Sequence, residues 1–164
     1  MRVRRLLPLC LIAIAVLSST DIKADESVPF KGSWSGETTS AVPLSPTLVS
    51  IVSEGSGELT HLGAYTMVSP HTSDVATGFT EGDQIFTAAN GDTLTAYCEG
   101  PADFDLASGI VTGTLDCEIT SGTGRFEDAS GTYEFAFVST LVGFLPNGLF
   151  KFATEAEMTG EINY

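Results

Sequence analysis

Residues 150–162 read FKFATEAEMTGEI, and their alternation of apolar and charged side chains decides the fold class. The apolar set is Phe150, Phe152, Ala156, Met158 and Ile162, and the charged set is Lys151, Glu155, Glu157 and Glu161. A period of two places the two sets on opposite faces of a β-strand. The stretch therefore predicts an antiparallel strand with one buried face and one wet face.

The segment before it has the same alternation. One predicted face holds Tyr133, Phe135, Phe137 and Leu141, and the other holds Thr132, Glu134 and Thr140. Pro146, Asn147 and Gly148 lie between the two segments and are residues typical of a turn. The C-terminal third of the chain is therefore predicted to form a β-hairpin.

The rest of the chain is also predicted to form strands. Asn90-Gly91 between residues 83–89 and 93–98 is a strong hairpin signal, because both turn positions must accept a positive φ. Further strand-like runs cover residues 30–38, 47–52, 59–68 and 110–119. Apolar residues do not recur at the helical period. About eight strands predict an all-β fold: a closed eight-stranded antiparallel barrel or, alternatively, a two-sheet β-sandwich.

The N-terminus has the order of a secretory signal peptide. Three arginines precede an apolar run over residues 6–17, which is too short to cross a bilayer as a helix. We expect residues 1–24 to be a signal peptide cleaved after Ala24 and residues 25–164 to be a single barrel domain. The protein is then expected to be secreted or periplasmic, without membrane insertion after cleavage.

Charge excludes one class of partner. The chain has 7 basic and 21 acidic residues, and cleavage would leave 3 basic and 20 acidic residues, a net charge of −17. Nucleic-acid binding needs clustered Lys and Arg, so a nucleic-acid partner is not expected. The two histidines have no recognisable third ligand, and we predict neither a metal site nor an organic cofactor.

Two cysteines, Cys98 and Cys117, remain after the predicted cleavage. An even number in an oxidising compartment favours a disulfide. Both residues share the apolar faces of neighbouring predicted strands, which supports the pairing. We therefore predict a structural Cys98–Cys117 disulfide.

Residues 122–131 read GTGRFEDASG and lie between two predicted strands. This segment, with Gly122, Gly124, Arg125, Phe126 and Gly131, resembles a turn of the dirigent and allene oxide cyclase barrels. A wider stretch, from residue 61 through 86–92 to 131, is similar to a group of secreted bacterial proteins. The resemblance implies an eight-stranded antiparallel barrel in which Phe126 plugs one end. It also implies epoxide cyclisation or guidance of radical coupling, and it transfers no catalytic residue to this chain.

Three side chains are candidates for chemistry. His61 is in phase with Leu59, and an inward-facing histidine in that strand would be a weak candidate for a catalytic acid or base. His71 follows Pro70 in a predicted loop, which makes a chemical role there less expected. Arg125 is interpreted either as a clasp on a neighbouring carboxylate that locks the turn or as a contact to an anionic ligand.

An aromatic face supplies the candidate pocket residues Trp34, Tyr133, Phe135, Phe137, Phe150 and Phe152. The interior of an eight-stranded barrel is either filled by side chains or holds one small ligand. We therefore expect a secreted barrel that binds a small hydrophobic molecule or serves as a stable extracellular module. The alternative is a cyclase or isomerase of the allene oxide cyclase or dirigent type, acting on a small apolar substrate in the cavity.

Overall fold

The computed structural model describes residues 27–164, so the predicted signal peptide lies outside the described residues. Eight long strands, joined by short turns and one single-turn 3-10 helix, make up this part of the chain. The elements are β1 Val28–Pro43, β2 Leu48–Leu59, β3 Gly63–Asp74, β4 Phe79–Ala88, β5 Thr93–Asp105, β6 Ile110–Gly122, the 3-10 helix Gly124–Phe126, β7 Ser130–Phe144 and β8 Phe150–Asn163.

The strands form a closed antiparallel barrel. Each strand pairs with its neighbours in the chain, and β1 also pairs with β8, from Val28 opposite Ile162 to Glu37 opposite Ala153. This closing pair confirms the predicted eight-stranded barrel and rules out the two-sheet sandwich. Closure leaves the barrel without an exposed sheet edge, because both edges of the meander are used against each other.

One predicted strand is wrong. Residues 59–68 do not form a single strand, because β2 ends at Leu59 and β3 begins at Gly63. His61 lies in the intervening turn with a φ of 69°, and Gly63 has a φ of 71°. Two left-handed residues within three positions reverse the chain and are incompatible with a continuous strand.

The two ends of the barrel differ. The turns β2–β3, β4–β5 and β6–β7 lie at one end, here called the closed end, together with both termini of the barrel. Phe126, in the 3-10 helix, is fully buried there, and its ring lies 5.6 Å from that of Tyr164. The opposite end, here called the mouth, carries the turns β1–β2, β3–β4, β5–β6 and β7–β8.

The packed core fills the closed half. The ring of Phe86 lies 6.4 Å from Phe30, 5.3 Å from Tyr65 and 6.4 Å from Tyr133, centroid to centroid. Leu94, Ile119, Met158 and Ile162 are buried around these rings. Aromatic pairs at such distances add to the burial of apolar area, which is the main favourable term in folding.

The Cys98–Cys117 disulfide is formed, which confirms the predicted pairing. The two residues stand directly opposite each other on β5 and β6, with Cα atoms 4.0 Å apart. The outer wall beside them is acidic: Glu99, Asp116 and Glu134 are consecutive partners across β5, β6 and β7. In residues 27–164 no helix has the length and apolar character needed to span a bilayer.

Candidate cavity at the mouth of the barrel

A cavity of about 110 Å³ lies inside the mouth half of the barrel. All eight strands contribute to its wall: Trp34, Thr38, Ile51, Ser53, Met67, Ser69, His71, Ser73, Thr80, Glu81, Gly82, Gln84, Cys98, Ala102, Phe104, Val111, Leu115, Phe135, Phe137, Ser139, Phe152 and Thr154. Besides its aromatic residues, this lining contains serines, threonines and Gly82, which are smaller than the inward residues of the closed half. Side chains that are too short to meet across the barrel axis leave the space.

Aromatic rings form one side of the cavity. Trp34 lies 6.1 Å from Phe135, and Phe135 lies 6.0 Å from Phe137, centroid to centroid. Trp34 is 3% exposed, and its Nε1 is sealed from solvent without a hydrogen-bond partner in the described chain. Phe152 completes this side toward the mouth.

Hydroxyl groups are the second component of the wall. Thr38, Ser53, Ser73, Thr80, Ser139 and Thr154 are all buried and all line the cavity. Four of them are bonded in cross-strand pairs, with Ser73 Oγ 2.9 Å from Thr80 Oγ1 and Ser139 Oγ 2.7 Å from Thr154 Oγ1. Because the two hydroxyls of each pair are hydrogen-bonded to each other, they add polarity to the wall at a low desolvation cost.

Gln84 and Cys98 line the cavity on the side of the packed core, where both contact Tyr133, a residue of that core. Tyr133 donates to Gln84 Oε1 at 2.8 Å, and the disulfide sulfur of Cys98 lies 3.7 Å from the same phenol oxygen. Burial raises the pKa of Tyr133 well above its usual value, and the neighbouring Tyr65 adds to the shift. The phenol therefore stays neutral and acts as a donor.

His71 is the one ionisable side chain that the structure aims at the cavity. It lies on β3, not in the loop that the sequence predicts, and shares the inward face with Tyr65, Met67, Ser69 and Ser73. Its Nδ1 lies 3.0 Å from the carbonyl oxygen of Ser69. Burial lowers the pKa of the imidazole, an effect that the Ser69 hydrogen bond opposes in part.

The other ionisable lining residue turns its charge outward. Glu81 accepts a hydrogen bond of 2.6 Å from Tyr97, which is exposed on the outer wall. This hydrogen bond is the main cause that raises the pKa of Tyr97 to about 12, followed by desolvation and the nearby carboxylates. The interior surface of the cavity is thus uncharged when His71 is neutral.

Sequence and structure differ on several candidate residues. Trp34, Phe135, Phe137 and Phe152 line the cavity, whereas Tyr133 is not among the lining residues and Phe150 is exposed at the rim. The expectation of an inward-facing His61 is wrong. Its ring is held at the closed end, where Tyr164 Oη lies 2.8 Å from Nδ1 and the Pro29 carbonyl 3.1 Å from Nε2.

The turn motif also lies at the closed end, far from the mouth. Gly124 has a φ of 59°, and a side chain there would collide with Asp92. Gly122 packs against the Phe126 carbonyl and Gly131 against the Glu161 carbonyl. The Arg125 guanidinium stacks 4.7 Å from the centre of the Phe126 ring instead of clasping a carboxylate, so the predicted clasp is wrong.

Within residues 27–164 no three His, Cys, Asp or Glu side chains come together in a way that would hold a metal ion.

No protein-family model matches the chain, and a comparison with curated proteins finds no match. Among solved structures, a pterocarpan synthase dirigent protein is 13% identical, with a TM-score of 0.42, over 85% of this chain and 87% of the other. The closed barrel itself is seen directly in the strand pairing.

Proposed function

We propose that this chain is a secreted protein that binds a small, neutral, mainly apolar molecule in the mouth-side cavity of its barrel. The main support is the composition of the wall, which combines aromatic rings on one side with six buried hydroxyls, four of which are hydrogen-bonded to each other in pairs. Ligand pockets have this character, with an apolar lining and a few placed polar groups. A charged ligand would find no opposite charge on the wall.

The rim of the mouth supports the same function. Phe144 is 66% exposed and Phe150 is 42% exposed, and their ring centroids are 5.7 Å apart. Phe150 in turn lies 6.2 Å from Phe152, which lines the cavity. These three rings form a continuous apolar surface from solvent to the cavity, along which an apolar molecule would enter without crossing charged groups.

Size supports a small ligand. The cavity has a volume of about 110 Å³, and an apolar protein cavity of about 150 Å³ binds benzene. The cavity is smaller than this reference, so it would hold no more than a single ring, and a substituent would have to extend toward the mouth.

A cyclase or isomerase of the allene oxide cyclase or dirigent type is the second candidate. His71 favours it, because a neutral imidazole on the wall of an apolar cavity is suited to accept a proton from a substrate. Such an enzyme would also bind its substrate in this cavity, so binding is the property to test first.

Native mass spectrometry of the protein purified from a secreting host tests both halves of the proposal. The intact mass should correspond to a chain that begins at Asp25, and a small apolar molecule should be released on extraction. Cleavage at another residue would correct the predicted leader. An empty protein that also fails to take up small aromatic probes would overturn binding.

Two matched variants locate the site. Ser53→Leu places an apolar side chain in the cavity, and Thr66→Leu makes the same kind of change on the exposed outer face of β3. We expect the first variant to lose the bound molecule and the second to keep it. Loss in both, or in neither, would place the ligand elsewhere.

A further inference from the structure

The hydrogen bonds of His71 fix which of its ring nitrogens carries the proton. The Ser69 carbonyl oxygen, 3.0 Å from Nδ1, has only lone pairs, so this contact is a hydrogen bond only when Nδ1 donates. Ser69 Oγ lies 3.5 Å from the same nitrogen and shares that proton. In the neutral ring, Nε2 therefore carries the lone pair.

Nε2 has no hydrogen-bond partner among residues 27–164, and it is within reach of a small molecule. Two side-chain atoms in this part of the chain, Trp34 Nε1 and Asn163 Oδ1, are both inaccessible to solvent and without a hydrogen-bond partner. His71 Nε2 is not one of them, so this unpartnered nitrogen is accessible. Because the ring lines the cavity, a molecule in the cavity can reach this nitrogen.

The residues paired directly with His71 carry no charge, and the carboxylate of Glu81, next to them on β4, is bonded to Tyr97 on the outer wall. The direct partners of His71 are Ile51 on β2 and Gly82 on β4. A side chain at position 82 would collide with His71 and with the Pro70 carbonyl, so the absence of one lets the strands approach closely. The imidazole thus presents a single hydrogen-bond acceptor in uncharged surroundings.

We propose that the molecule bound in the cavity is an alcohol, whose hydroxyl donates a hydrogen bond to Nε2 of His71 while its apolar body contacts the aromatic wall. This inference rests on the proposed function and specifies its ligand class. A carboxylate would meet the Nε2 lone pair with no Lys or Arg on the lining. The oxygen of a ketone or an ether would also place its lone pairs against the lone pair of Nε2. A hydroxyl supplies the missing donor.

Two probes of matched size test the proposal: benzyl alcohol, which has a hydroxyl donor, and ethylbenzene, which has none. Their dissociation constants are measured by ligand-observed NMR titration at pH 7.5 for the wild-type protein and for His71→Leu. We expect the variant to bind benzyl alcohol about tenfold more weakly, the effect of one lost hydrogen bond. Ethylbenzene should bind the variant at least as well as it binds the wild type.

The comparison of probes separates the possible failures. If neither probe binds the wild type, the proposed function fails. If both probes bind and His71→Leu weakens them equally, His71 contributes only shape and the ligand class is wrong. His71→Gln, which restores an acceptor oxygen, should recover part of the preference for benzyl alcohol.

The nitrogen resonances of the wild-type protein give a readout that does not depend on how a variant folds. Nδ1 should show the chemical shift of a protonated imidazole nitrogen and Nε2 that of an unprotonated one. Benzyl alcohol should move the Nε2 resonance, and ethylbenzene should leave it in place. The opposite tautomer, or an equal response to both probes, would overturn the inference.

Discussion

The two halves of the barrel interior are built on the same strands and have different contents. In the closed half, inward residues such as Phe30, Phe86 and Met158 are at most 1% exposed and fill the space to the axis. In the mouth half, the same strands turn residues such as Thr38 and Thr154 inward, and a cavity remains. Close packing is thus concentrated at one end of the barrel interior and open space at the other.

The largest contrast is expected between two phenylalanines, one in each half. Phe86→Ala should destabilise the protein by about 3–5 kcal/mol, because it leaves a void among packed rings. Phe152→Ala, at the wall of the existing cavity, should cost about 1–2 kcal/mol. Urea unfolding with the disulfide intact measures both. Equal losses would show that the two halves do not differ in packing.

The disulfide lies at the boundary between the halves, and its loss should rank second. The bond joins residues 19 apart, and closing such a loop contributes about 3 kcal/mol in the chain-entropy model. The double variant Cys98→Ala with Cys117→Ala should lower the urea midpoint by a corresponding amount. Reduction of the wild type should give the same shift and add two hydrogens to its mass. An unchanged midpoint would show that the bond is not structural.

Removing a hydroxyl from one of the pairs in the mouth half should change the free energy of unfolding by a smaller amount. Ser139→Ala leaves the Thr154 hydroxyl without its buried partner and should cost about 1–2 kcal/mol. The double variant Ser139→Ala with Thr154→Val removes both hydroxyls and should cost less than the single variant. A double variant that loses more than the single one would mean that these hydroxyls stabilise the fold.

The smallest effect is a pH dependence due to His71. Because burial lowers its pKa, the unfolded chain takes up a proton at this residue more readily than the folded chain does. Stability should therefore fall as the pH drops below about 6.5, the ordinary value for histidine. The loss should be smaller in His71→Gln. Unfolding measured between pH 7.5 and 5.5 compares the two proteins, and identical slopes would contradict the assignment.

The all-β class was predictable because most strands alternate apolar and polar residues, but this alternation alone does not distinguish a closed barrel from a two-sheet sandwich. The segment at 150–162 and the Asn90-Gly91 turn each set a local pattern that the structure keeps. The disulfide was also predictable, since two cysteines on apolar faces of neighbouring strands are expected to pair in the oxidising compartment that the predicted signal peptide implies.

The cavity was not predictable from the pattern. Inward residues of both halves have the same period, and only the register shows that Ser139 on β7 lies opposite Thr154 on β8. A cavity is predicted by adding the volumes of the side chains that face each other across the barrel, and this requires the register of all eight strands. A sequence window of one strand does not contain it.

The sequence does not identify His71 as a cavity residue, because Pro70 predicts a loop at this position. In the structure, Pro70 pairs with Val52 on β2, while the pairing with β4 passes from Val68 directly to His71. A proline lacks the N–H that a strand donates to one of its neighbours. The alternation of Tyr65, Met67, Ser69, His71 and Ser73 was the signal that continued through it.

The pairing of β1 with β8 has a consequence for how the barrel folds. The other strand pairs of the described chain join neighbours in sequence, whereas Ser27 Oγ donates to Glu161 across 134 residues. Contacts this distant form slowly, because chain entropy must be lost before they are made. During that interval both edges of the meander are open to pairing with other chains. Glu155, Glu157 and Glu161 place like charges along one of these edges, an arrangement that disfavours pairing with a second copy of the same edge.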